Sequence, residues 1–300
     1  MLSPVVVGVD GSAESLAAAE WAAREAGRRG RNLRLFHAWN WHPRHGDAAR
    51  ADAAQRHLAR RVLTAAEERV RAVRPEVRLE EEQVLGPATA ALLRASERTD
   101  LLVLGSRGLS GFTGFLVGSV ALGTVARTAC PVVLVRAGEE AADEHLPDAD
   151  GNASTDTGYR DVVLGLDVAA PCDEVIEFAF EEARLRHARL RAVHAWQRPS
   201  ALGLGPGEIA LVDDPDRAEE WQGFVSAVLR VWRDKYPEVE VVETVVREKP
   251  ATALVRAASG ASLLVVGRRP AASPAGPRTG PVTHAAVHHA GCPVAVVPHE

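Results

Sequence analysis

The chain reads as an α/β protein made of two tandem, doubly wound parallel sheets of five strands each, with helices on both faces. Two observations carry that reading. Short apolar runs alternate with longer stretches of helical periodicity, which is the pattern of a parallel sheet covered by helices. The pattern is also written twice. Val5-Val-Val-Gly-Val-Asp10 returns as Val162-Val-Leu-Gly-Leu-Asp167, and His37-Ala-Trp39 returns as His194-Ala-Trp196 with the same displacement. Leu101-Leu-Val-Leu-Gly105 returns as Leu263-Leu-Val-Val-Gly267, and Cys130-Pro-Val-Val as Cys292-Pro-Val-Ala, at a slightly larger common displacement. A short insertion between His194 and Gly267 accounts for the difference.

In order, the first half places strands near 4–10, 33–39, 77–84, 101–105 and 132–135. A helix capped by Ser12 runs from there and stops near Gly30. The next carries Leu58, Val62, Ala66, Val70 and Val73 at helical spacing and ends before Pro75. A third runs from Pro87, with proline in the first turn, to about Arg98, and a fourth spans Val120 to Thr128. The second half repeats this order; Trp221, Phe224, Val225, Val228 and Trp232 of its long helix are assigned to the core. Domain boundaries follow: residues 1–136, a linker over 137–158, and residues 159–300. The linker is rich in Asp, Glu, Ala, Gly and Ser, and reads as a solvated tether.

Composition excludes several classes of function. The 300 residues are 46% hydrophobic, enough for a substantial core, and 35 basic against 40 acidic residues leave a net charge of -5. Nothing global therefore attracts nucleic acid or an acidic membrane. Cys130, Cys172 and Cys292 lie far apart, so neither a disulfide framework nor a thiolate zinc site is expected. No apolar run reaches the length of a membrane span, and the first residues lack a basic segment followed by a signal-peptide core, which points to the cytoplasm.

The stretch Gly105-Ser-Arg-Gly108, followed nine residues later by Gly118-Ser119, carries the most chemistry. It joins a strand to a helix start. Its glycines are expected to admit positive φ and close approach of a ligand, with Ser119 capping the helix. Backbone N–H groups and the helix dipole suit an anion there. In an open doubly wound sheet, ligands sit beyond the carboxyl ends of strands where the strand order reverses. If the first and fourth strands are neighbours, Asp10 faces this loop, its carboxylate accepting from ribose hydroxyls or base donors. The competing reading makes Asp10 a cap for the turn with Gly11 and Ser12.

Neither GxxxxGK[ST] nor GxGxxG occurs, and the only lysines, Lys235 and Lys249, lie in the second half. A phosphate in the first half must then be held by backbone N–H groups, by the hydroxyls of Ser106, Ser110 and Ser119, and by Arg107 or Arg127. Without a lysine or a base beside a nucleophile, this suits binding better than transfer, and no residue is assigned a catalytic role. In the second half Pro270 and Pro281 stand where the first has Gly108 and Ser119, so the loop keeps its frame and loses its donors; Arg268, Arg269 and Arg278 still offer positive charge. His284 and His288 share a helix face but lack a third ligand, so no metal site is assigned. His37 and His194 recur together, and a structural role and a place beside a base edge both stand open.

Val5-Val-Val-Gly-Val-Asp-Gly-Ser12, Val84-Leu-Gly-Pro-Ala88, Gly105 to Ser119 and Cys130-Pro-Val-Val-Leu-Val135 resemble the universal stress protein family over nearly the whole chain, as two copies. The resemblance implies a Rossmann-like sheet of strand order 3-2-1-4-5 per domain and ATP as ligand, alone or with magnesium or manganese. It implies a nucleotide site of Asp10, Gly11, Ser12, Trp39 with the backbone edge after it, Gly105, Ser106, Arg107, Gly108, Gly118 and Ser119. It also implies pairing through the last strands, Val132 to Val135 with Val294 to Val297, an intramolecular pseudo-dimer, with a homodimer and an unidentified protein partner as further associations. The expectation is an ATP-binding regulatory protein of the stress response with a nucleotide in the first repeat. An ATP-hydrolysing or adenylating enzyme, and a nucleotide-free partner-binding protein, are the alternatives.

Overall fold

A computed structural model describes residues 3–39, 48–106, 117–197, 217–269 and 279–300. The first repeat runs β1 (Val5–Gly8), α1 (Ala13–Arg29), β2 (Leu33–Trp39), α2 (Ala48–Val73), β3 (Leu79–Leu85), α3 (Ala88–Ser96), β4 (Leu101–Gly105), α4 (Ser119–Val125) and β5 (Val132–Val135). A short 3-10 turn, Ala141–Glu144, follows. The second repeat runs β6 (Val162–Gly165), α5 (Asp173–Arg186), β7 (Leu190–Trp196), α6 (Arg217–Lys235), β8 (Val241–Arg247), α7 (Pro250–Ala257), β9 (Leu263–Arg268), α8 (Pro281–His289) and β10 (Val294–Pro298).

The ten strands among the described residues form one sheet in the order β3-β2-β1-β4-β5-β10-β9-β6-β7-β8. Each half has the expected 3-2-1-4-5 order with parallel neighbours, and the halves join where β5 and β10 pair antiparallel, Ala295 opposite Val133. That pairing removes what would otherwise be two apolar sheet edges. One true edge, β3, is blunted by Glu80, Glu81 and Glu82, with Arg34 on β2 bonded to Glu80 at 2.8 Å.

Side chains alternate across the sheet. Val5, Val7, Leu33, Leu35, Leu101 and Val103 join a core beneath α1 and α2 that continues through Val162, Leu164 and Leu190 beneath α5 and α6. Val6, Phe36, Leu102 and Leu104 join the opposite core with Leu92, Val125, Leu254 and Val287. Both faces are thus buried, and each buried Val or Leu adds roughly 1.5–3 kcal/mol. Helix α1 is bounded as the sequence reads: Ser12 accepts from the Ser15 amide at 3.2 Å, and Gly30 ends the helix at φ 60°.

The structure departs from the sequence reading at several points. Leu58 is 59% exposed; the buried stripe of α2 is Ala59, Leu63, Ala66 and Val70. A strict four-residue ladder drifts by about 40° per step against 3.6 residues per turn, which carries Leu58 off the face. Phe224 on α6 is 48% exposed, and the fully buried positions there are Val225 and Leu229. Pro87 is the N-cap of α3 and lies outside its first turn. Helix α4 is capped by Gly118 without a side-chain bond, which makes Ser119 its first residue and leaves no capping role for it. The tether reading fails at Glu144, which is buried against Arg24 and Arg28 of α1.

Candidate functional site

Strands β1 and β4 are neighbours, Gly8 opposite Leu104, and their carboxyl ends open into a crevice of about 270 Å³. Its walls include Val9, Asp10, Ser15, Phe36, Ala38 and Leu92, and its far side is Gly105, Gly118, Ser119 and Val120. Asp10 and the glycine segment therefore face one another at the strand-order reversal, where open α/β sheets bind ligands. The cavity lies just below the usual volume range of ligand pockets.

Asp10 performs the capping role that the sequence left open, and it also lines the crevice. Its Oδ1 accepts from the Ser12 amide at 3.0 Å and the Ser12 hydroxyl at 2.5 Å, an Asx turn that sets the entry to α1. Its amide donates to Ser15 Oγ at 3.3 Å. Among the described residues Oδ2 takes no hydrogen bond, so one carboxylate oxygen stays available on a crevice-lining residue. Gly11 turns the chain at φ 85°, and Ser12 is buried as the helix cap; neither lines the crevice.

Gly105 differs in its reason for being glycine. It has no positive φ, but an added Cβ would stand 2.8 Å from the Glu14 carbonyl carbon and the Ser15 nitrogen. Close packing of β4 on the start of α1 excludes any side chain there. Ser106 is buried, donates its N–H to Val135 O at 2.7 Å and accepts the Gly118 N–H at 2.8 Å. The Gly118 amide is thus engaged within the protein. The amides of Ser119, Val120 and Ala121, in the first turn of α4, have no intrahelical acceptor, and all three residues line the crevice. Arg127 donates to the Gly123 carbonyl at 2.9 Å beyond the other end of α4, which removes it from the anion end.

Trp39 ends β2, and its carbonyl accepts from the Gly86 amide at 2.9 Å; it is not a crevice wall. The backbone edge after it, with Arg107, Gly108 and Ser110, lies outside the described residues. His37 is buried with Nδ1 2.7 Å from Val9 O, a bond that ties β2 to the end of β1. Phe36, Ala38, Leu92 and Val120 are walls that motif reading passed over. The strand alternation that sends Phe36 and Ala38 to the same face carries the signal for two of them.

The second crevice, at β6 and β9, loses one member of this donor set and keeps the amides of Val282 and Thr283. Gly280 caps α8 at φ 77°, and Pro281 at the first helical position has no N–H. Among the described residues no cluster of His, Cys, Asp or Glu is suited to a metal ion, and no helix is long and apolar enough to cross a membrane.

Comparison with known proteins agrees with this architecture. The family model described as "Universal stress protein family" matches residues 1–136 and 158–298. A universal stress protein of Mycobacterium tuberculosis is 32% identical over 97% of this chain and 96% of its own length. A second from the same species is 30% identical over 97% of this chain and 95% of its own. The crystal structure of a universal stress protein from Archaeoglobus fulgidus superposes with a TM-score of 0.69 at 18% identity, covering 99% of this chain and 98% of that one.

Proposed function

This chain belongs to the universal stress protein family, and on that premise we propose that it is a cytoplasmic ATP-binding regulatory protein whose first repeat holds the nucleotide. The observation that carries the reading is the crevice at the β1/β4 reversal, with Asp10 on one side and the first turn of α4 on the other. Phe36, Ala38 and Leu92 give a base an apolar bed, and the free oxygen of Asp10 accepts from ribose hydroxyls. The amides of Ser119 to Ala121 donate to phosphate oxygens, which a helix N-terminus favours electrostatically. Magnesium or manganese would enter with the phosphates. Among the described residues neither a lysine nor a paired general base lines the crevice, which suits binding better than rapid turnover.

Calorimetry with ATP tests this. The expected result is one equivalent per chain, weakened at least tenfold in Gly118→Val and unchanged by substitution of Gly280. Gly118 has φ -65° and ψ 150°, which valine adopts without strain, so that variant narrows the crevice and keeps the fold. Absence of binding, or two equivalents, would remove the reading. Many turnovers per minute, followed by chromatography of the nucleotides, would replace it with an enzyme.

A further inference from the structure

The two ends of the ten-strand sheet are built differently. Strand β3 carries Glu80, Glu81 and Glu82, a charged run that repels a second strand. Strand β8, at the other end, pairs with β7 alone and reads Val241-Val-Glu-Thr-Val-Val-Arg247. It has no lysine and no proline, and its valines suit strand pairing. Val241 to Val246 are all partly exposed, so no described element covers this edge.

The phase of the ladder fixes which backbone groups stand outward. Leu190 donates its N–H to the Glu240 carbonyl at 2.8 Å, and alternation then directs the N–H and C=O of Val242, Thr244 and Val246 to β7 as well. Those of Val241, Glu243 and Val245 point away from the sheet. Arg233 reaches one of them, the Val241 carbonyl, at 3.4 Å. The one charge inside the strand does not guard the edge. Glu243 is turned under α6, where Gln222 and Ser226 donate to it and Arg233 pairs with it at 2.8 Å.

The helix above the edge supplies a second match. Gln222, Ser226 and Arg233 mark the side of α6 that leans over β8, and Glu219, Gly223 and Arg230 continue that side at helical spacing. All three are exposed, and a Cβ added to Gly223 would meet nothing within 4 Å. The stripe is therefore acidic at its start, small in its middle and basic at its end. Such a stripe complements an antiparallel copy of itself.

We propose that β8 is a homodimer edge, on which a second copy of this chain adds its own β8 antiparallel about a two-fold axis at Thr244. In that register Val241 lies opposite the partner's Arg247 and Glu243 opposite the partner's Val245, each pair exchanging two backbone hydrogen bonds. Thr244 meets the partner's Thr244, a favourable cross-strand pair. The two α6 helices lie side by side on one face, with Glu219 toward the partner's Arg230. Because β3 stays closed by its glutamates, growth stops at the dimer. The surface is separate from the β5–β10 seam and does not depend on a nucleotide in the first repeat.

Sedimentation of the full chain across micromolar concentrations is expected to show a monomer–dimer equilibrium and nothing larger. Hydrogen exchange should slow at Val241, Glu243 and Val245 as the dimer forms, with β3 unchanged. Glu219→Arg and Arg230→Glu, both at exposed positions, should each weaken the dimer about tenfold by bringing like charges together. An equimolar mixture of these two variants should recover it. Thr244→Lys sets two lysines face to face and should leave a monomer with the wild-type circular dichroism. The proposal is overturned by a monomer at every concentration, by species beyond the dimer, by a dimer whose β8 amides exchange as in the monomer, or by charge variants that associate no better mixed than alone. Sedimentation and exchange on wild type need no variant to fold.

Discussion

Glu139 stands just beyond the end of β5, partly buried, beside the acidic Asp143 and Glu144. Burial pushes its carboxyl up, the two neighbouring charges push it further, and Arg24 and Arg136 only partly offset them, so that it titrates at about 8. The folded chain therefore holds a proton that the unfolded chain releases in the ordinary carboxylate range. Glu139 contributes stability that is complete below that range and is lost as pH rises toward about 8. Glu139→Gln should flatten this slope and raise the melting temperature at mildly alkaline pH by about 2 °C or more. Parallel melting curves in acid and alkali that differ equally for variant and wild type would contradict it. Such a residue is hard to read in sequence, because an acidic run looks solvated until one knows that Glu144 turns inward onto Arg24. Gly105 has the same difficulty. Its spacing reads as room for phosphate, but the contact that forbids a side chain is with the backbone at Glu14 and Ser15, brought near by the fold.

At the scale of elements, the strands and the ends of α1 were legible because they rest on local chemistry, the apolar runs, the Ser12 cap and the Gly30 stop, whereas the strand order came from the family resemblance. Partnerships between distant elements were not. Arg268 on β9, read in sequence only as a source of positive charge, is buried and reaches across the seam, donating to the Ala126 carbonyl at 3.2 Å and to Thr128 O beyond the end of α4. Arg136, after β5, returns the contact at 2.8 Å from the His288 carbonyl on α8. A guanidinium at a helix C-terminus satisfies carbonyls that the helix leaves open and complements its dipole. Each repeat thus anchors the helix that opens the other repeat's crevice. Arg268→Met removes charged hydrogen bonds of about 1.5–3 kcal/mol. Hydrogen exchange of the α4 amides should accelerate accordingly, with α8 protected as before. Equal acceleration in both helices would mean general destabilisation and not a broken anchor.

The whole molecule is held at its centre by more than the β5–β10 ladder. Glu25 and Arg29 on α1 occupy the same repeat positions as Glu182 and Arg186 on α5, and the four meet as a box across the pseudo-twofold axis. Arg186 reaches Glu25 at 3.0 Å and also pairs with Glu182 on its own helix, while Arg29 pairs with Glu25 at 2.5 Å and with Glu182. Glu144 extends the box to Arg24 and Arg28, and the Arg186 guanidinium lies 5.7 Å from the centre of the Trp21 ring. Burial pushes the Glu25 carboxyl up, but the charges of Arg186, Arg29 and Arg28 outweigh it and hold it well below the usual range. The recurrence of Glu and Arg at i, i+4 in both repeats was present in the sequence, where surface pairs look the same as buried ones. Burial decides their energetics. Removing one partner leaves charge stranded in a dry interior, so Arg186→Met should cost about 3–5 kcal/mol in urea unfolding. Replacing all four charges with apolar residues of similar size should recover most of that loss, because desolvation and attraction nearly cancel in a complete buried network. A fourfold variant less stable than Arg186→Met alone would show that the box contributes net attraction, and that the two repeats stay joined by charge as well as by the sheet.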